Sequence, residues 1–326
     1  MTTLKDVSQE AGLAVGTVSR VLNNRGYISA QTRQKVEEAV KKLNYYPSEL
    51  ARAFSKQTIA IIGVILPYIN NPYFAELLSK IESIALEKGY QIMVFSSAGE
   101  EKQELYFVEK CLRNKLAGII ICSGKISSEK LNELGLPVIA IECAPKQYSS
   151  RIECDNFDGG VKAASLLISK GCTHVLYLSG VQGKVMPADK RGSGFTSECK
   201  KHDSVEYYEA KFSESEFRSM NYRDFITKTL TAIPTIDGIF ASNDILAAQV
   251  LQYCHTYGIR VPEDMKVIGF DDIPFASWTV PALTTIHQPI REMAAMALEM
   301  LVSERENKTI LKYIKLPVEI VMRDTV

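Results

Sequence analysis

Near the start of this 326-residue chain, Thr17, Ser19, Arg20 and Asn23 bring two hydroxyls, a guanidinium and an amide into one short stretch. Such groups donate to phosphate oxygens and to the acceptor edges of bases. Val15, Val18, Val21 and Leu22 recur between them at helical spacing, so the polar groups share one side of a helix that is apolar on the other. Val15, Gly16 and Thr17 form its first turn, the part of such a helix that meets base edges.

The neighbouring elements suit that chemistry. Leu4, Val7 and Ala11 mark an earlier helix that stops at Gly12, and Leu13-Ala14 leaves only the tight turn of a helix-turn-helix. Val36, Ala39, Val40 and Leu43 mark a third helix, with Ser29 as its N-cap. Residues 1–58 carry nine Lys/Arg against five Asp/Glu, a net +4 that leaves −4 on the rest of a chain of zero formal charge. A small basic module ahead of a mildly acidic body is the electrostatic footprint of a nucleic-acid-binding segment. Pro47 then breaks the chain. Ser48–Lys56 has the length of a marginal helix, expected to be ordered only by DNA.

From Ile59 the texture changes. Val/Ile/Leu-rich runs at 59–66, 90–96, 118–123, 138–142, 174–179, 237–242 and 266–270 read as buried strands. Helices start near Pro72, Glu100 and Ser127, and others cover 158–170, 189–201, 214–231, 243–257 and 290–306. Segments 312–315 and 318–322 are further strands, open to either sheet. Two such blocks make two α/β lobes, and a chain crossing back between them makes a hinge around a cleft, where open α/β sheets bind ligands.

Other chemistries are poorly served. Gly118-Ile-Ile-Ile-Cys-Ser-Gly-Lys-Ile has phosphate-loop glycines one residue too far apart, and Ile126 stands where the loop needs Ser or Thr. Neither a strand-coupled GxGxxG nor a GxSxG elbow is present, so no enzyme reading gains support. The seven cysteines are scattered without a CxxC pair, and read as small buried hydrophobes in a reducing compartment. His174, His202, His255 and His287 lack metal-ligand spacing, so no metal or cofactor is expected. The first residues show no basic-then-apolar leader, and the longest apolar runs are strand-sized. A cytoplasmic protein with no membrane partner is expected. An exported sugar-binding protein would share the two-lobed pattern, but the basic headpiece and missing leader argue against it.

The runs Leu4-Lys-Asp-Val-Ser-Gln-Glu-Ala-Gly, Thr17-Val-Ser-Arg-Val-Leu-Asn and Ser29-Ala-Gln-Thr-Arg resemble the lactose repressor family of bacterial transcription factors. Leu43-Asn-Tyr-Tyr-Pro-Ser, Asn243-Asp, Val267-Ile-Gly-Phe-Asp-Asp and Leu283-Thr-Thr-Ile-His-Gln-Pro extend the likeness, in order, over the whole chain. The resemblance implies an all-α helix-turn-helix headpiece followed by a two-lobed α/β effector domain of the periplasmic-binding-protein type. Its boundaries would be a headpiece over 1–46, a linker over 47–58 and an effector and dimerisation domain over 59–326. Within the last, one lobe takes about 59–157 plus 289–316, the other about 158–288 plus 317–326.

The function implied is sequence-specific repression of carbohydrate-utilisation genes, controlled by a sugar-like effector; a nucleobase-like metabolite is the alternative. The partners implied are a pseudo-palindromic double-stranded operator, the effector and a second copy of the chain. The chain stops soon after its last core strand without the heptad helix of tetrameric members, so a homodimer is expected. On DNA the resemblance places Thr17, Ser19 and Asn23 on phosphates and Arg20 on bases, with Val15, Gly16, Ser29, Tyr45, Ala51 and Phe54 in support. The other reading of Arg20 is support of the fold, and that of Phe54 is packing between two linker helices. In the cleft it places Glu142, Arg191, Asn243 and Asp271 on the effector; Tyr73, Phe74 and Phe212 are candidates for an apolar wall. Arg and Asp can hold adjacent hydroxyls while aromatics stack on a sugar face. Asn243 also reads as a helix N-cap, Asp271 as surface loop charge, and Trp278 as packing. Three positions depart from the family: Ala14 replaces a capping Ser, Gly16 has no side chain with which to read a base, and Phe54 replaces a wedging Leu.

Overall fold

The computed structural model describes residues 2–22, 26–45, 60–122, 124, 126, 131, 135–143, 149–181, 187–308 and 311–326. Asn23, the linker with Ala51 and Phe54, and the helix expected from Ser127 lie outside the described residues. The chain separates into two compact units, Met1–Ile59 and Ala60–Val326.

The first unit holds α1 (Leu4–Ala11), α2 (Val15–Leu22) and α3 (Ala30–Lys42). Thr3 opens α1 with a capping box. Its hydroxyl accepts from the Asp6 N–H at 3.3 Å, while the Asp6 carboxylate accepts from the Thr3 N–H at 2.7 Å. Gly12, at φ 65°, closes α1 in the left-handed conformation that glycine adopts without a Cβ penalty. Val7, Val18, Val21, Val36 and Ala39 meet in the centre of the three helices. So small a core leaves the caps a large share of the stability.

The second unit begins with β1 (Ile61–Leu66), α4 (Pro72–Glu87), β2 (Gln91–Ser96), α5 (Glu101–Arg113), β3 (Gly118–Ile121), β4 (Val138–Ile141) and β5 (Ser150–Cys154). It continues with α6 (Asn156–Ser169), β6 (His174–Val181), α7 (Pro187–Cys199), β7 (Glu206–Phe212), α8 (Glu214–Ser219) and α9 (Arg223–Ala232). Then follow β8 (Gly238–Ala241), α10 (Asp244–Tyr257), β9 (Lys266–Asp271), β10 (Thr284–His287), α11 (Ile290–Arg305), β11 (Tyr313–Leu316) and β12 (Glu319–Val321). The first sheet runs β11-β5-β4-β3-β1-β2 and the second β12-β10-β9-β8-β6-β7. All pairs are parallel except β10 with β12.

Burial on both faces explains the unbroken apolar runs. Ile62, Val64 and Leu66 of β1 pack with Leu77 and Ile81 of α4 and Leu298 and Leu301 of α11. Ile65 joins Ile119, Ile121, Val108 and Cys111 on the opposite face. The chain passes between the lobes after β5, between β10 and α11, and between β11 and β12. Three crossings form the hinge.

Strands β5 and β7 escape the apolar-run criterion for physical reasons. β5 carries Arg151 and Glu153, and the buried Glu153 is neutralised by Lys190 rather than replaced by a hydrophobe. β7 is an edge strand with exposed Glu206, Tyr207, Glu209 and Lys211. The single helix expected over 214–231 is two. Met220, in the left-handed region at φ 52°, ends α8 before α9 begins. Trp278, expected to pack, is instead 74% exposed. All seven cysteines are buried and unbridged, and burial pushes Cys111 and Cys199 up to about 12, so they remain thiols. No helix among the described residues is long and apolar enough to cross a membrane.

Candidate DNA interface and effector cleft

Helix α2 turns Val18 and Val21 into the headpiece core and leaves Val15, Gly16 and Arg20 exposed, with Thr17 and Ser19 half-buried. Its first turn therefore offers an apolar side chain, bare backbone and a guanidinium to a partner surface. The helix starts without a side-chain cap, since Ala14 supplies only its carbonyl to the N–H groups of Thr17 and Val18, at 2.8 and 3.1 Å. Ala14→Ser should add the missing acceptor and stabilise the first unit by about 1 kcal/mol. Thermal melting of the Ala14→Ser and wild-type chains checks this; no rise would show that the Ala14 carbonyl already suffices. The Ser29 hydroxyl caps α3, accepting from the Thr32 N–H at 3.3 Å. Asn44 takes a left-handed turn after α3, and the Tyr45 N–H closes back on the Val40 carbonyl at 3.0 Å. This fixes Tyr45, half-buried against the headpiece core, where the chain leaves α3.

The cleft is organised by Arg191, on α7 and only 7% exposed. Its Nε donates to Asn156 Oδ1 at 2.7 Å, one Nη donates to the Ser242 carbonyl, and the other face of the guanidinium lies 3.5 Å from the Phe270 ring centroid. Asp271, the last residue of β9, stands 3.9 Å from the same guanidinium. From the first lobe, Glu142 follows β4 and accepts from the Cys154 N–H at 2.6 Å and from Asn156 Nδ2 at 3.0 Å. A run of two hydrogen bonds and one ion pair thus joins both lobes: Glu142, Asn156, Arg191, Asp271. Glu142 at φ 50° and Asp271 at φ 117° hold left-handed backbone at strand ends, strain of the kind found where a side chain must be aimed.

Charge in so dry a place is costly. Burial raises the Glu142 carboxyl above its ordinary range, with Arg191 and the Asn156 and Cys154 donors pulling it back. Burial pushes Asp271 up to about 7 against the pull of Arg191 and Gln288. Asp244 goes the same way, raised by burial and then by Asp271. Because an unfolded carboxyl titrates near 4, the folded chain holds extra protons between roughly pH 4 and 7. The resulting stability is complete at the acid end and disappears as pH rises through the folded value. The melting temperature of the ligand-free chain should therefore fall between pH 5.5 and 7.5, and Asp271→Asn should flatten part of that slope. An equal slope in the variant would show that Asp271 does not titrate there.

Comparison with known proteins settles the relationship. Residues 3–48 match the model described as bacterial regulatory proteins, lacI family, and residues 164–326 the periplasmic binding protein-like domain. The ribose operon repressor of Halalkalibacterium halodurans is 32% identical over 326 residues, 100% of this chain and 97% of that protein. The chain belongs to the lactose repressor family. A lac repressor dimer bound to operator and an anti-inducer shares the fold at a TM-score of 0.88 and 23% identity, over 99% of this chain and 98% of that one. A lacI-type regulator from Alkaliphilus metalliredigens, solved with D-xylulofuranose, is 28% identical at a TM-score of 0.72, covering 82% of this chain and 99% of that one. Members of the family are DNA-binding transcriptional regulators, not enzymes.

In this family member the expected cleft residues separate into two groups. Glu142, Arg191 and Asp271 come together, and Tyr73 joins them, its hydroxyl buried within the electrostatic reach of Glu142 and Asp271. Phe74 stands edge-on to Tyr73 at 5.2 Å. Asn243 caps α10, accepting from the Leu246 N–H at 2.8 Å, while its side chain also meets the Tyr222 hydroxyl. Phe212 lies deeper, 1% exposed, stacked on Phe217 and tilted on Tyr222. It backs the Tyr222–Asn243 pair from the second lobe's core. Sequence reasoning missed Asn156, Asp244 and Gln288. Asp244 accepts from the Ile273 N–H and the Thr285 hydroxyl, and Gln288 donates to Asp271 at 2.6 Å. Lys190, beside Arg191, reaches across to the buried Glu153 of β5 at 2.7 Å. That ion pair ties α7 to the hinge.

Proposed function

We propose that this chain is a homodimeric repressor of carbohydrate-utilisation genes whose hold on operator DNA is altered by a small sugar-like effector in the Arg191 cleft. The observation that carries this reading is the Glu142–Asn156–Arg191–Asp271 chain, whose members come from both lobes and meet beside their hinge. A ligand bonding to it would bond to both lobes at once and so favour one arrangement over another, which is what an effector must do. Support comes from a relative named for a ribose operon and another solved with D-xylulofuranose. In this reading residues 1–46 bind DNA, 47–58 link, and 59–326 bind the effector and dimerise, in the cytoplasm.

On the operator, Arg20 reads base edges from the exposed side of α2, and Thr17, Ser19 and Asn23 hold phosphates. Val15 and Gly16 approach the groove, Tyr45 touches backbone, Ser29 and Ala51 support the contact, and Phe54 of the linker enters the minor groove. A twofold protein calls for a pseudo-palindromic site. Arg20→Ala should weaken binding to the operator by about 1–3 kcal/mol and binding to random DNA far less. Gel shifts with DNA flanking the chain's own gene and with scrambled DNA measure both; equal weakening would make Arg20 a phosphate contact.

A further inference from the structure

The polar groups of the Arg191 cleft are unequally supplied. Glu142, Asp271 and Glu76 bring three carboxyls, and Glu76 and Glu142 both bear electrostatically on Asp271. Arg191 is the guanidinium among them, and it already engages Asn156, the Ser242 carbonyl and Phe270. Among the described residues, three buried atoms there have no protein hydrogen-bond partner: Tyr73 Oη, Glu76 Oε2 and Gln288 Oε1. Tyr73 is 8% exposed and Gln288 1%. Gln288 spends its Nε2 on Asp271, which leaves its unmatched carbonyl beside that carboxyl. Two of the three orphans only accept hydrogen bonds when the carboxyl is ionised; the third is a hydroxyl.

The mouth of the cleft is also bridged. Tyr68, after β1, meets Phe217 of α8 edge-on at 5.7 Å, and Arg218 reaches Glu100 across the lobes at 3.6 Å. Arg218 is shared with Glu214 at 3.6 Å, so the cation at the rim is matched by two acids.

Resting on the cleft assignment above, we infer that the effector is an uncharged polyhydroxy molecule, and that its phosphate ester is rejected. Hydroxyl groups bring the donors that Glu76 and Gln288 lack and can accept from Tyr73. A phosphate brings further acceptors and a negative charge into a dry cleft where burial already disfavours the ionised form of Glu142 and Asp271, so its charge is penalised and orphaned acceptors stay orphaned. A site built for donors discriminates steeply against a ligand that does not supply them. The bridged mouth favours a ligand that is enclosed.

The test is calorimetric titration of the full chain with matched pairs: D-ribose and its 5-phosphate, D-xylulose and its 5-phosphate, D-fructose and its 6-phosphate, D-glucose and its 6-phosphate. At least one free sugar should bind, with its ester at least about thirtyfold weaker, and Glu76→Gln should narrow that ratio severalfold. An ester that binds as tightly as its parent sugar, or more tightly, overturns the inference and leaves the repressor reading intact. A ratio unchanged in Glu76→Gln overturns its electrostatic cause. Silence from every pair overturns the inference together with the sugar reading of the cleft.

Discussion

Arg191→Ala is expected to abolish the effector response and to destabilise Ala60–Val326 by about 3–5 kcal/mol, the usual effect of removing one partner from a buried charge pair. The guanidinium is the positive group that bears on both Glu142 and Asp271, and its loss leaves them buried without it. It also orphans Asn156 Oδ1 and the Ser242 carbonyl and removes the cover from Phe270. Operator binding at low temperature should survive, because Met1–Ile59 is a separate unit with its own core. The two consequences separate experimentally. Thermal melting reads the stability, and operator gel shifts across sugar concentration read the response. A dose–response equal to wild type would remove Arg191 from the site.

Gly194→Ala is expected to reach the same site from behind. A Cβ on Gly194 would stand 2.0 Å from the Phe157 carbonyl oxygen, and one on Gly160 would stand 1.9 Å from that of Arg191. Helices α6 and α7 therefore touch backbone to backbone, and no rotamer change can relieve the overlap. Overpacking ordinarily costs about 1–3 kcal/mol, and this contact belongs at or above the upper end. Moving α7 off α6 also pulls Arg191 from Asn156, which stands at the start of α6. Effector affinity should fall at least about tenfold alongside the melting temperature. Ser193→Ala, at an exposed neighbour, should change neither. Wild-type affinity in Gly194→Ala would show that the helix pair does not position Arg191.

How much of this is readable in the sequence depends on where the signal lies. Headpiece and lobes announce themselves because their apolar periods, 3.6 and continuous, follow directly from burial on one face or two. Glu142, Arg191 and Asp271 lie next to apolar strands or within a marked motif, and so could be nominated. Asn156 and Gln288 could not, because each is an ordinary amide whose role comes only from meeting Arg191 or Asp271 in the folded chain. β7 stayed hidden because an edge strand has no need of a continuous apolar run. The left-handed turn at Met220 has no glycine or proline to announce it. Glycine has low helix propensity, and only the contact between α6 and α7 explains why Gly160 and Gly194 admit no larger residue.

The most direct test of a DNA-binding regulator governed by the Arg191 cleft is a footprint of the full chain on DNA flanking its own gene, titrated with and without each free sugar. The expected result is protection of one twofold-symmetric site, weakened in Arg20→Ala, shifted by one sugar in the wild type and unshifted in Arg191→Ala. Sugar binding with no site-specific protection of DNA at any protein concentration would contradict it.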